Sequence, residues 1–269
     1  MAVFTNALGA ERSGALHRDL ELIRITALRV LKVRYRGTAL GVLWSFANPI
    51  LMTLLYTAIF GTAFASYYGS RALYVLSAFV GITVVTYFLQ ATGEGLTAVV
   101  ASGSLLNKIA MPSAIFPISS VMANTFQQCF TTFPVLLIVT AVVTRDPVHV
   151  VLVAVMLCAI VALTLGFSLA LSALYVFFRD LPHLWAIVGF VLWLTSPVFY
   201  PAALVPAGVR AWLGVNPVGQ SMNVLRELVI VKGPVQWGAV GMALLLALAV
   251  LLVGAAIFRA TRDDFMDLL

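Results

Sequence analysis

Arg29-Val-Leu-Lys32-Val-Arg34-Tyr35-Arg36-Gly37-Thr38-Ala39-Leu40-Gly41 runs directly into Val42-Leu43-Trp44 and a long apolar stretch that ends near Phe64. Only Ser45, Asn48-Pro49 and small residues interrupt that stretch. Roughly 20 apolar residues cross the ~30 Å hydrocarbon core of a bilayer. Lys and Arg are retained on the cytosolic side. The segment therefore predicts a first membrane span at about 40–64, entered from the cytosol.

The remainder of the chain extends this reading. Of 269 residues, 62% are apolar and 10% charged, too few charges to solvate the surface of a soluble domain. Period-two alternation in short segments, the mark of a membrane β-barrel, is absent. The fold class expected is an all-α integral membrane protein with six transmembrane helices, an N-terminal amphipathic interface helix and an external re-entrant helix pair. The net charge of +6 does not point to a nucleic-acid partner, because seven of the sixteen Lys and Arg precede residue 37. That asymmetry reads as topology and contact with anionic lipid. Residues 1–38 lack the apolar core and cleavage site of a secretory leader, so no removal is expected. Cys129 and Cys158 each sit in an apolar run and read as small packing residues.

In chain order, residues 1–38 form a cytosolic N-terminal segment, and 39–269 form one six-span domain. On a helix over 15–34, Leu16, Leu20, Ile23, Ala27, Val30 and Leu31 share an arc of about 100°. Arg18, Glu21, Arg24, Arg29 and Lys32 lie outside it. Such a helix rests in the membrane interface with its polar side open to a partner. Later spans are expected at about 73–93, 114–143, 148–177, 184–200 and 236–258. The apolar, proline-punctuated stretch 201–234 predicts two short helices that dip into the membrane under protein cover. An even span count places both termini on one side. Eleven Lys and Arg fall on that side and five on the other, so both termini are assigned to the cytosol.

Catalytic chemistry finds little support. His17, His149 and His183 fall in separate places and read as solvated, so neither a metal site nor a catalytic set is expected. The span interiors carry no ionisable group of the kind an ion-driven carrier needs; Glu94, between Gly93 and Gly95, closes span two and reads as a solvated helix end. The chain has no Gly-Lys pair and hence no Gly-x-x-x-x-Gly-Lys-Ser/Thr phosphate cradle. Motive force is expected from a separate ATPase, which would hold the ATP and Mg; this chain binds no cofactor. Loop two, Thr97 to Pro112, is semi-apolar and nearly uncharged, as a small helix docking in a partner's groove would be. Candidate coupling residues are Arg24, Arg29, Lys32 and Arg34, then Leu105, Leu106, Asn107 and Lys108, with Arg179 and Asp180 after span four. Aromatic rings offer flat faces to the C–H side of a sugar. Tyr56, Phe60 and Trp193 are the foremost candidates for a sliding path, followed by Trp44, Trp185, Tyr87 and Phe88. Tyr56 and Phe60, four apart, share a face.

Taken together, Arg34-Tyr35-Arg36-Gly37-Thr38-Ala39-Leu40-Gly41-Val42-Leu43-Trp44 with Asn48-Pro49, Leu106-Asn107-Lys108-Ile109 with Pro112, Phe177-Phe178-Arg179-Asp180, Ser196-Pro197-Val198-Phe199-Tyr200-Pro201 and Asn216-Pro217 with Arg226 form a pattern. It resembles the ABC-2-type permeases of polysaccharide exporters, which serve O-antigen, capsule and teichoic acid. Met111 stands before Pro112 where an aromatic is common, and the Trp193-to-Pro197 spacing differs slightly from some relatives. The resemblance implies a homodimer of permeases with two ATPase subunits, in the cytoplasmic membrane, moving an undecaprenyl-linked glycan outward. It further implies that spans one and five of both copies line the channel, and that 201–234, with Pro201, Trp212, Asn216, Pro217 and Arg226, is the external re-entrant pair. A drug- or lipid-exporting ABC-2 permease, an ion-coupled carrier and a non-transporting scaffold are the alternatives.

Overall fold

The computed structural model describes residues 2–39, 41–106, 111–201, 204–206, 208 and 216–265, with side chains described from His17 onward. The described residues contain helices, turns and bends, and no strand. Helix α1 (Ala2–Arg34) ends at a turn in which Gly37 and Gly41 take φ of +76° and +52°. No atom lies within 4 Å of a Cβ built at either, so these glycines answer to backbone conformation alone. A short 3-10 turn, Gly41–Leu43, leads into α2 (Trp44–Tyr68). Ser70 caps α3 (Arg71–Ala101), its hydroxyl accepting from the Leu73 N–H at 3.2 Å.

A one-turn helix α4 (Gly103–Leu106) follows, then α5 (Ile115–Phe130) and α6 (Thr132–Thr144), which meet at a 44° bend. The third span expected at about 114–143 is thus a broken one. Pro134 has no N–H to give and its ring crowds the preceding turn, so the helix breaks at Thr131. Side chains bridge the bend: the Thr131 hydroxyl donates to the Gln127 carbonyl at 2.9 Å, and the Thr132 hydroxyl donates to the Gln128 side-chain Oε1 at 2.5 Å.

Helix α7 (Pro147–Phe177) begins with Pro147 in its first turn and Asp146 as cap, accepting from the Val148 N–H at 2.9 Å. His149, expected in solvent, is only 5% exposed and bonds Asp146 Oδ2 at 2.9 Å. Then come α8 (Leu181–Thr195), α9 (Pro217–Ile230), and α10 (Trp237–Thr261) with a 3-10 turn at Arg262–Asp264.

Among the described residues four helices are long and apolar enough to cross a membrane, five if the bent pair counts as one span. Helix α8, with 15 residues, reaches about 22 Å and falls short of a ~30 Å core. The chain is a multi-pass membrane protein. Its centre is built on α3 and α7, whose apolar windows are 61% and 50% buried. Val85, Phe88, Met156, Ile160, Leu163, Met222 and Leu225 pack there. Helix α2 is only 17% buried and rests mainly on α3 through Pro49, Thr53, Thr57 and Gly61, a stripe spaced by four. Helices α7 and α10 cross at backbone distance: a Cβ on Gly254 would fall 2.0 Å from the Gly166 carbonyl oxygen.

Glu94 also departs from expectation. Helix α3 continues beyond the span expected at about 73–93 to Ala101, so Glu94 lies within the helix and not at a solvated end.

Candidate functional site

At the end of the bundle that carries loop two, three helices converge on one carboxylate. Arg34, last residue of α1, donates from Nη2 to Glu94 Oε2, and from Nη1 to Asn124 Oδ1 at 3.1 Å and Gln127 Oε1 at 2.7 Å. Asn124 Nδ2 donates to the same Glu94 oxygen at 2.7 Å, and Gln90 Nε2 to the other at 3.2 Å. The Tyr35 hydroxyl donates to Gln127 Oε1 at 2.5 Å. Every partner is supplied by α3, α5 or the α1 terminus, so the cluster pins α1 against the first half of the broken span. Ion-paired hydrogen bonds of this kind are roughly twice as strong as neutral ones. Apolar contact adds to it: Ala27 and Leu31 of α1 are buried against Ala123 of α5. The available signal for this cluster was that Glu94 is the sole acidic residue between Glu21 and Asp146.

Beside this clasp a groove of about 680 Å³ opens between α1 and the α3–α4 corner, bordered by Arg29, Val33, Arg34, Glu94, Ser104 and Leu105. Arg24 and Lys32 of α1 are exposed, as is Arg29 at the border of the groove. Leu105 is half-buried at the rim, whereas Leu106 is buried in a cluster with Phe116, Phe258 and Phe265. Asn107 and Lys108 lie outside the described residues. Arg179 sits 5.7 Å from the Tyr175 ring centroid, and Asp180 is exposed at the start of α8.

Toward the opposite end, α2 presents a stripe of rings. Tyr56, Phe60 and Phe64 recur every fourth residue, with centroids 6.3 and 5.7 Å apart and planes within 21° and 13°. Phe199, from the turn after α8, lies flat on Tyr56 at 4.7 Å and 5°, and on Phe60 at 5.8 Å. All four rings are half-buried, so each keeps part of its surface outside the chain's own packing. Phe199 was not among the ring candidates of the sequence; only its neighbourhood in space identifies it.

The other aromatic candidates divide. Trp185 and Trp193 border a cavity of about 320 Å³ with Leu89, Gly189 and Phe190, and Gly189 leaves the room between them. Trp193 is half-buried, but Trp185 is 8% exposed and packs on Phe88 and Phe167, both at 6.1 and 6.1 Å. Tyr87 and Phe88 are 1% and 0% exposed, closed inside the core; Tyr87 bonds the Thr125 hydroxyl at 2.7 Å. Trp44 is exposed at the mouth of a smaller cavity with Asn48 and Gln127.

The segment after α8 is gripped by α9 and α3. Asn216 Oδ1 caps α9 by accepting from the Val218 and Gly219 N–H groups at 3.0 and 3.1 Å, while its Nδ2 donates to the Ser196 hydroxyl at 2.9 Å. Pro217 follows in the first turn, where a missing N–H costs nothing. The predicted second short helix is therefore α9; the predicted first one, with Trp212, falls outside the described residues. Pro201 is buried. Among the described residues no group of three His, Cys, Asp or Glu could hold a metal.

The O-antigen export system permease protein RfbA of Myxococcus xanthus is 29% identical over 243 residues, 89% of this chain and 92% of that protein. A protein of the same name from Klebsiella pneumoniae is 25% identical over 251 residues, 93% of this chain and 95% of its own length. The family model described as ABC-2 type transporter matches residues 21–230, from the middle of α1 through the end of α9. The chain belongs to the ABC-2 type transporter family.

Proposed function

We propose that this chain is the permease subunit of an ATP-driven exporter that moves a lipid-linked polysaccharide across the cytoplasmic membrane. The observation that carries the reading is the stripe formed by Tyr56, Phe60 and Phe199 on the least buried of the long apolar helices. Half-exposed rings bind sugars weakly through their C–H faces, which suits a chain that must keep moving. The names of the full-length relatives from K. pneumoniae and M. xanthus support the substrate class. Counting the bent α5–α6 pair and the short α8 as one crossing each would make six, an even number that would leave both termini on one side, and the excess of Lys and Arg there supports the cytosol.

Two copies would face each other through α2 and α8, whose outer faces the single chain leaves bare. Two ATPase subunits, holding ATP and Mg, would press on the groove beside Arg34 and Glu94 and on the loop-two helix. This explains why the chain's own ionisable groups cluster at the loop-two end. Co-expression with a cognate ATPase and reconstitution in liposomes with an undecaprenyl-diphosphate-linked glycan tests the reading. ATP-dependent translocation of the glycan is expected; uphill transport by the permease alone would overturn it.

A further inference from the structure

The described part of the membrane domain holds one deeply buried cation for which export has so far assigned no use. Arg226, on α9, is 6% exposed, and no carboxylate among the described residues lies within ion-pair distance. A buried charge without a counter-ion persists only where fixed dipoles replace the lost water. Here the dipoles are the carbonyls just beyond α8. Arg226 Nη2 donates to the Pro197 carbonyl at 2.5 Å and the Val198 carbonyl at 3.3 Å, and Nη1 donates to Asn223 Oδ1 at 3.2 Å. These are the two residues that precede Phe199.

The rest of that turn is fixed as tightly. Tyr74 of α3 donates its hydroxyl to the Phe199 carbonyl at 3.0 Å, and Tyr200 donates to the Leu194 carbonyl at 2.8 Å. Beneath it, Gly81 lets the turn lie against the α3 backbone: a Cβ there would stand 3.0 Å from both Val198 Cα and its carbonyl oxygen, and 3.1 Å from Arg226 Nη2. The turn rests on α3, is held from α9, and ends in a ring laid on α2.

We propose that Arg226 is a positioning residue that sets Phe199 on the aromatic stripe, so that a displacement of α9 lifts or lowers one ring of the path. The proposal rests on reading the stripe as the path. A guanidinium can serve two carbonyls at once, whereas an ammonium is a single compact charge. Methionine fills similar volume and serves none, leaving both carbonyls unpaired and the turn untethered. The neighbouring Glu227 is exposed and forms no ion pair with Arg226.

The test uses the full-length permease in two ways. First, 4-cyanophenylalanine replaces Phe199, and the nitrile stretch is recorded on the purified permease with native Arg226, with R226M and with R226K. R226M is expected to shift and broaden the band, and R226K to shift it part-way; a band unchanged in both overturns the proposal. Second, glycan export by the reconstituted complex is measured for R226M, F199A and the double variant. Each single change is expected to lower export roughly fivefold, and the double variant no further, because the two residues act as one unit. Losses that multiply would overturn the proposal, since Arg226 would then act elsewhere. Should R226M fail to accumulate, R226K replaces it in both arms, and wild-type values there overturn the proposal equally. Absence of glycan export by the wild-type complex would defeat the exporter reading alone, because the nitrile band still decides whether Arg226 places Phe199.

Discussion

Arg34 and Glu94, sixty positions apart, form the ion pair that joins the N-terminal helix to the centre of the bundle. Asn124 touches both partners, accepting from one and donating to the other. Replacing Glu94 by Gln removes the charge and keeps the shape, so the cost is set by the charge-assisted part of the bond. With side chains 20% and 34% exposed, solvent screens some of it, and a loss of ~1–2 kcal/mol is expected. Thermal unfolding in detergent should report it. Glu94→Arg alone should destabilise more, by confronting Arg34 with a like charge, and Arg34→Glu/Glu94→Arg together should recover part of the loss.

The ring stripe predicts a separation of transport from folding. Tyr56 and Phe60 are half-buried, and their removal opens no closed cavity. Tyr56→Ala with Phe60→Ala should lower glycan export severalfold while membrane abundance, read by immunoblot, stays near wild type. A parallel fall in both would mark the rings as packing residues. Phe88→Ala should behave in the opposite sense, losing abundance first, because a fully buried ring contributes about 3–5 kcal/mol to the fold.

The α7–α10 crossing predicts a sharp position dependence on one helix. Gly254→Val must push against the Gly166 carbonyl, and strain of this kind costs about 1–3 kcal/mol or more. Gly241→Val, where nothing lies within 4 Å of a Cβ, should leave the unfolding temperature nearly unchanged. Equal effects at the two sites would mean that the helices do not meet as described.

Asp146 gives a pH dependence outside the membrane helices. The Val148 N–H first, and then the His149 ring, hold its carboxyl below the usual carboxylate range. A depressed native value contributes stability above the unfolded carboxyl value of about 3.9. That contribution disappears as pH falls through the native value. Asp146→Asn retains the capping oxygen but not the charge. The wild type is expected to unfold at a higher temperature than the variant at pH 7, and the gap should close below about pH 3.9.

How much of this was legible in the sequence depended on whether the cause was local. The change from Arg34-Tyr35-Arg36 to an apolar run locates α1 and α2 because charge and hydropathy act where they stand. The continuation of α3 through Glu94 is hidden in the sequence because that carboxylate is satisfied by Arg34 of α1 and Asn124 of α5, which hydropathy cannot register. The break at Thr131 hid inside an apolar run, although Pro134 was its visible cause. Among the rings, Tyr87, Phe88 and Trp185 carry the same chemistry as Tyr56 and Phe60. Only tertiary packing places the first three inside and the other two at a surface. Phe199 was quoted as part of a motif, yet its stacking partners come from the far end of the chain's order.

Gly37 and Gly41 give the joint between the first two helices a mechanical meaning. Both hold left-handed backbone angles with no atom crowding the place of a side chain, so backbone conformation and not side-chain packing calls for glycine at these two positions. On the reading of α1 as an ATPase-facing helix, a push on it would bear on α3 and α5, where Arg34 is bonded to Glu94, Asn124 and Gln127, before it bears on α2. Helices α1 and α2 are neighbours in sequence, yet the contacts that tie them together run the long way round, through α3.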